Sequence, residues 1–442
     1  MSEAKVKTIQ DFIEDSKKTL GWPCARVGFG YKMIVENQIP KKGPIREDEL
    51  QDWSLAMGDD NPLYLDPKYG RHTRWGSMIA HPTFVADLRY PVGRGASGYA
   101  DYASVGLVAG FGWEFNDVIR VGDEFQTSFM MNEVIPKKGA TGTLCFTYSR
   151  AMYWNQFHEL VSTGRGGNCM IGRASTGTQE GFRGEMVYER GVYHYNNEEC
   201  DKIVRDIMAE ERRGATPRYW EDVNVGDKLI PTVKGPLSTT ELMGWDQAHV
   251  KLGLQKQQQM EERGNFEIAI RRVVKGLDED PLNTMTGFPY QPLNRHYDWD
   301  ACKSSGMPAP FDVGCFRACA TSHLLSNYMG DDGFIRRFDL QLRKPMFYGD
   351  TVWYYAEVVN KYKDKVGDVE YGAVDIKING TNQLGEVCAP ATATVYLPSP
   401  RQPIKLPVPH DDNYEAYKEY INKCKELAEQ REKTGNPCWP VE

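Results

Sequence analysis

Strand-like runs dominate the pattern of apolar and polar positions along the chain. Residues 139–154, 351–366 and 372–397 are rich in Tyr, Val, Thr and Phe with partial alternation, and Gly-Asp and Asn-Gln pairs punctuate them as turns. Ahead of the strands in each half comes a helical pattern led by a proline (Pro44, Pro236), then a turn-rich segment and a second helical stretch. Together these elements predict an antiparallel sheet with helices on one face, an α+β arrangement. Two further stretches, 196–213 and 411–431, are highly charged with sparse apolar positions. They read as solvated helices, the first of them a linker.

The order of elements occurs twice. Gly43-Pro44-Ile45, Glu49-Leu50, Trp53 and Ala56 are answered 192 residues later by Gly235-Pro236-Leu237, Glu241-Leu242, Trp245 and Ala248. Arg120-Val121-Gly122-Asp123 is answered 227 residues later by Phe347-Tyr348-Gly349-Asp350, and Asn155-Gln156 by Asn382-Gln383 at the same spacing. The wider spacing implies a net insertion of 35 residues in the second copy, assigned to 251–289. The chain thus divides into a first copy (1–190), a charged helical linker (191–215), a second copy (216–410) and a helical tail (411–442). Two copies in 442 residues suit the usual ~100–200 residues per domain.

Composition narrows the function. The net charge of −8 comes without any basic block, which argues against nucleic acid as a partner. No apolar run is long enough to span a bilayer. The first 22 residues are charged and lack the apolar core of a secretory signal. Ten cysteines are scattered without a CxxC pair or ligand-like spacing to histidine, so reduced thiols in a cytoplasmic protein and no metal centre are expected.

The candidate chemistry lies in Gly58-Asp59-Asp60-Asn61-Pro62-Leu63-Tyr64-Leu65-Asp66 and, downstream, Ile79-Ala80-His81-Pro82. Pro62 biases Asn61 away from helical angles. The helix opened at Pro44 should therefore end here in a turn that aims Asp59 and residue 64 into one space. An acid and an imidazole so placed would orient a water and share its protons. Residue 64 is tyrosine, a donor at neutral pH with a pKa near ~10.

These residues resemble the hydratase motif of MaoC-like dehydratases, the (R)-specific enoyl-CoA hydratases, which reads D-x-N-P-L-H-x-D with a His-Gly pair downstream. The resemblance implies a double hot-dog fold: two antiparallel sheets, each wrapped around a helix, forming a pseudo-dimer in one chain. It also implies hydration or dehydration of an acyl-CoA thioester, coenzyme A entering as part of the substrate and no other cofactor being used. Carried over, Asp59 matches the acid, Tyr64 stands at the histidine and Pro82 replaces the glycine. The second copy, in Gln291-Pro292-Leu293-Asn294-Arg295-His296-Tyr297-Asp298, supplies the histidine and has an amide at the acid position. Each copy keeps one member of the pair.

The expected catalytic residues are therefore His296, Asp59 and Gln291, with Asn61, Tyr64, His81, Asp298 and Gly314 lining the substrate. A single working cleft centred on His296 is favoured, with Gln291 holding water or substrate and backbone amides at Val313–Gly314 holding the thioester oxygen. The alternatives are cooperation of Asp59 with His296 across the interface, and a structural hydrogen-bonding role for both. Arg336-Arg337 and Arg343-Lys344 are candidates for the phosphates of coenzyme A, or for a solvated strand edge. His249 and His323 are read as core or helix-face histidines, and Asp331-Asp332-Gly333 as a turn. Hot-dog thioesterase activity and non-catalytic acyl-CoA binding remain the competing functions. A homo-oligomer is expected.

Overall fold

In a computed structural model of the chain, the described residues are 7–24, 43–93, 95–96, 102, 104–139, 142–172, 190–250, 296–304 and 307–434. Gln291, the insertion at 251–289 and the side chain of His249 lie outside them.

The repeat is visible in the hydrogen bonds. In the first copy Gln156 Nε2 donates to Asp123 Oδ1 (3.2 Å), and the Asp123 carboxylate accepts the Arg120 amide (2.8 Å). In the second, Gln383 Nε2 donates to Asp350 Oδ1 (2.6 Å), which likewise accepts the Phe347 amide through Oδ2 (2.8 Å). Ile45 and Leu237, each following the proline that leads its copy, donate to the carbonyls of Asp123 and Asp350 at 2.9 and 2.8 Å. Gly122 and Gly349 take positive φ of 92° and 82° in these turns, an angle glycine reaches without a Cβ penalty.

A short helix α1 (Ile9–Lys17) precedes α2 (Glu47–Met57), β1 (Ser104–Phe115), β2 (Gln126–Gly139), β3 (Gly142–Trp154) and β4 (Leu160–Gly172). After the linker helix α3 (Asn197–Met208) come β5 (Thr232–Lys234), α4 (Thr239–Val250), α5 (Gly314–Met329), β6 (Phe334–Gln341), β7 (Val352–Val366), β8 (Val369–Asn382), β9 (Val387–Leu397) and α6 (Glu415–Thr434). The expected run at 372–397 is two strands broken at Asn382, whose side-chain oxygen accepts the Leu384 and Glu386 amides and turns the chain.

The strands form one antiparallel sheet in the order β2-β3-β4-β1-β6-β9-β8-β7-β5. The two expected sheets are thus joined edge to edge, β1 pairing with β6 from Gly110–Gln341 to Glu114–Arg337. Repeat-equivalent Trp53 and Trp245 meet with ring centroids 5.9 Å apart. Phe111, Trp113 and Phe338 stack along the β1–β6 seam. This is the α+β double hot-dog arrangement.

The central helices differ. In the second copy α5 runs 16 residues with every side chain from Cys315 to Met329 buried. The first copy has only the turns Pro82–Phe84 and Val85–Leu88, and Arg89 is already extended at φ −156°. Tyr90 precedes Pro91, and a residue before proline resists helical angles.

Neither charged helix is merely solvated. Ile203 of α3 is buried with Val233 and Trp353, and Trp353 Nε1 donates to Asp206 (2.7 Å). From α6, Tyr417, Tyr420 and Cys424 pack on Met152, Trp154 and Leu160 of the first copy.

Candidate active site

Helix α2 carries Glu47, Asp48 and Glu49 in its first turn, where acidic groups suit the helix dipole, and ends at Gly58 with φ 74°. Asp59 Oδ1 then accepts the Asn61 amide (3.0 Å), and Asn61 Oδ1 accepts the Leu63 amide (3.0 Å) with Pro62 leading the next turn. Two nested caps thus fix the motif turn. Asn61 is occupied in shaping the backbone.

The Asp59 side chain is 0% exposed. Its Oδ2 accepts Ser326 Oγ (2.8 Å) from α5 of the second copy and lies 3.9 Å from His81 Nε2. Its Oδ1 lies 3.7 Å from His323 Nε2, also on α5. His81 Nδ1 accepts the Thr83 amide (3.3 Å), and His323 Nδ1 accepts Lys234 Nζ (2.8 Å). A ring nitrogen that accepts carries no proton, so both neutral rings turn an Nε2–H toward the carboxylate. Burial raises the Asp59 pKa to about 6 and lowers that of His81 to about 3; His323 is lowered well below its usual value by burial and by Lys234.

Beside this cluster is a cleft lined mainly by apolar side chains such as Leu63, Ile79 and Met329 together with Tyr64, His81 and Asp331. The Tyr64 ring meets His81 edge-on at 5.4 Å. Asp59 is absent from the lining, and the Thr83 amide at the start of the first copy's short central turn is taken by His81. Pro82, at that start, has no amide to offer.

The second copy presents the opposite chemistry. His296 Nδ1 bonds the Phe311 carbonyl at 2.8 Å. A carbonyl only accepts, so Nδ1 holds the proton and Nε2 the lone pair, the arrangement of a base. The ring packs on Phe311 at 4.5 Å. Three residues beyond Phe311, α5 starts at Gly314, and its N-cap residue Val313 makes no side-chain cap bond. Such a helix start favours negative charge. A Cβ on Gly314 would stand 2.8 Å from Leu342 Cδ1 and 3.2 Å from Val108 Cβ, so glycine permits close packing there. Val108 belongs to β1, which makes the first copy part of this wall.

Of the other expected residues, Asp298 Oδ1 accepts the Asp300 amide (2.8 Å) and so starts the helical turn Trp299–Ser304. Arg343 and Lys344 are exposed, Arg343 bonding Gln341 (2.7 Å) and Lys344 pairing with Glu386. Arg336 is not available to phosphate: it is buried, pairs with Glu114 and donates to the Phe115 carbonyl (2.8 Å). Asp59 meets His323 of the second copy in the described contacts, while the described bond of His296 is to Phe311. Ser326 and Lys234 were missed in the sequence. The polar positions His323 and Ser326, three apart and so on one face of the helix, were the available signal.

A family model for the FAS1-like dehydratase domain region matches residues 33–164. Among solved structures, a MaoC-like dehydratase aligns with TM-score 0.53 and 16% identity, covering 84% of this chain and 99% of its own. The fold is the MaoC-like double hot-dog. The MaoC-like resemblance drawn from Asp59–Asp66 accordingly falls inside the matched segment. A putative MaoC domain protein dehydratase from Chloroflexus aurantiacus aligns at 13% identity over 86% of this chain and 99% of its own, with TM-score 0.46. A Mycobacterium tuberculosis protein with a double hotdog fold aligns at 11% identity over 84% and 99%, with TM-score 0.45. No curated protein sequence matches this chain. No described helix is long and apolar enough to cross a membrane, and no described His, Cys, Asp and Glu cluster suits a metal ion.

Proposed function

We propose that the chain is a hydro-lyase acting on acyl-CoA thioesters, interconverting a 2-enoyl-CoA and a 3-hydroxyacyl-CoA in the second-copy cleft. The observation that carries this reading is the bond from His296 Nδ1 to the Phe311 carbonyl, three residues ahead of the start of α5, which sets Nε2 as the base.

In the hydration direction, His296 Nε2 takes a proton from water as the water oxygen bonds C3 of the enoyl group. The C2–C3 double-bond electrons move toward the thioester, and its oxygen gains negative charge. Amides at Val313–Gly314 hold that oxygen, a contribution of about 3–4 kcal/mol per well-aimed donor. The proton on His296 then passes to C2. Water and thioester are consumed and nothing else is needed. Exposed Arg343 and Lys344 follow Leu342, which packs against Gly314, and this placement suits them to the phosphates of coenzyme A.

The first copy serves as a wall and anchor. Its acid is buried among donor imidazoles, its central turn offers few free amides, and tyrosine stands at position 64. The test is incubation of the purified protein with a panel of 2-enoyl-CoA thioesters, following enoyl absorbance and free thiol together. Loss of absorbance without thiol supports the proposal. Thiol release identifies a thioesterase instead, and binding without either change identifies an acyl-CoA-binding protein.

A further inference from the structure

Asp312 and Arg317 form a buried ion pair at the start of α5 in the second copy. Arg317 Nε donates to Asp312 Oδ2 at 2.7 Å and its Nη2 pairs with Oδ1, a two-pronged contact with side-chain exposures of 3% and 0%. The pair ties several segments together. Asp312 Oδ1 accepts the Met346 amide (2.9 Å), and Arg317 Nη1 donates to the carbonyls of Lys344 and Cys388, the latter at 3.3 Å. Asp312 directly follows Phe311, whose carbonyl holds His296, and Arg317 lies in the first turn of α5.

The pseudo-symmetry supplies a control within the chain. Ala80 donates its amide to the Ile119 carbonyl, and Asp312 donates to that of Met346, both at 2.9 Å. These two pairs occupy the same place in their copies, which sets Ala80 against Asp312, Val85 against Arg317 and Tyr64 against His296. The copy with tyrosine thus has an apolar pair where the copy with histidine has an ion pair. A buried ion pair is costly to desolvate and is seldom justified by stability alone. Here an apolar solution for the same scaffold position exists in the same molecule.

We infer that Asp312 and Arg317 are positioning residues of the hydratase cleft, holding the Phe311 carbonyl and the start of α5 in register so that His296 and the helix amides face one substrate. This rests on the proposed function. A fork-shaped guanidinium contact fixes both direction and distance, which a point charge or an apolar contact does not. Misplacement of a reacting group by about 1 Å costs on the order of a hundredfold in rate.

The test exchanges the pair for its first-copy counterpart, Asp312→Ala with Arg317→Val, because removal of one partner leaves a buried charge. Arg317→Lys is made alongside it, keeping the charge and losing the fork. Each is compared with the native chain by thermal melting, by steady-state hydration of a 2-enoyl-CoA and by 15N-histidine NMR of His296. The expected result is a folded double variant whose kcat falls at least about tenfold while KM stays within about threefold. The His296 signal moves from the single Nδ1–H form to a mixture of tautomers, and Arg317→Lys lies between. A double variant with native kcat and a native His296 signal overturns the inference. Should the double variant fail to fold, native kcat in folded Arg317→Lys overturns it equally. A native chain that hydrates no thioester defeats the proposed function, and the NMR comparison then decides the positioning role by itself.

Discussion

Asp59 and His323 face one another across the boundary between the two copies, Oδ1 to Nε2 at 3.7 Å, with Ser326 bonded to the other carboxylate oxygen. The acid of the first copy's motif forms a joint between the copies. Ser326→Ala leaves that joint with an unsatisfied buried carboxylate oxygen. The expected loss is about 1.5–3 kcal/mol in denaturant unfolding, the range for a hydrogen bond to a charged group.

The same carboxyl gives a pH signature. Its pKa is raised by burial from the ordinary 3.8 to about 6 in the folded chain. A raised folded-state value means that the folded form holds a proton the unfolded form has released, so stability present below pH ~4 is lost as pH rises through ~6. Asp59→Asn has no such loss. Relative to the native chain it should gain as pH rises from about 4 to about 6, by up to about 3 kcal/mol, offset by a constant for altered hydrogen bonds. Paired denaturation curves across that range check both sign and window.

Trp53 and Trp245 are repeat equivalents in contact at 5.9 Å, each 1% exposed. Trp53→Ala or Trp245→Ala should cost about 3–5 kcal/mol. The double variant should cost less or more than their sum by about 0.5–3 kcal/mol, since residues in contact are not independent. A double-mutant cycle by chemical unfolding measures the coupling.

Restoring the motif histidine should not restore a site. Tyr64→His in a His296→Ala background is expected to remain inactive, because Pro82 has no amide and the Thr83 amide is taken by His81. Recovery of hydration would show that the side chain alone separates the two copies.

How much of this was legible in the sequence follows from the range of each interaction. The turns at Asp123 and Asp350 were readable because their carboxylates bond amides three residues away. The end of α2 was readable because Gly58, Asn61 and Pro62 act locally. Lys234 and Ser326 were not. They reach Gly58 and Asp59 across 176 and 267 residues, and nothing in the sequence around them points to those partners. In α6, charge hid a stripe that the periodicity does contain: Tyr417, Tyr420, Cys424 and Leu427 are all buried on one face. The short central turn of the first copy was hidden differently, since 82–88 and 314–329 both look helical and only Pro91 separates their outcomes.

With hydration proposed at His296, Asp59 belongs to the joint between the copies. The most direct measurement is kcat/KM for a 2-enoyl-CoA with His296→Ala and Asp59→Asn, each verified as folded by its melting curve. The expected result is a fall of about 10²–10⁴ for His296→Ala, the usual weight of a general base, and a change within about threefold for Asp59→Asn. Loss of activity in Asp59→Asn with retention in His296→Ala would contradict it and move the chemistry to the first copy.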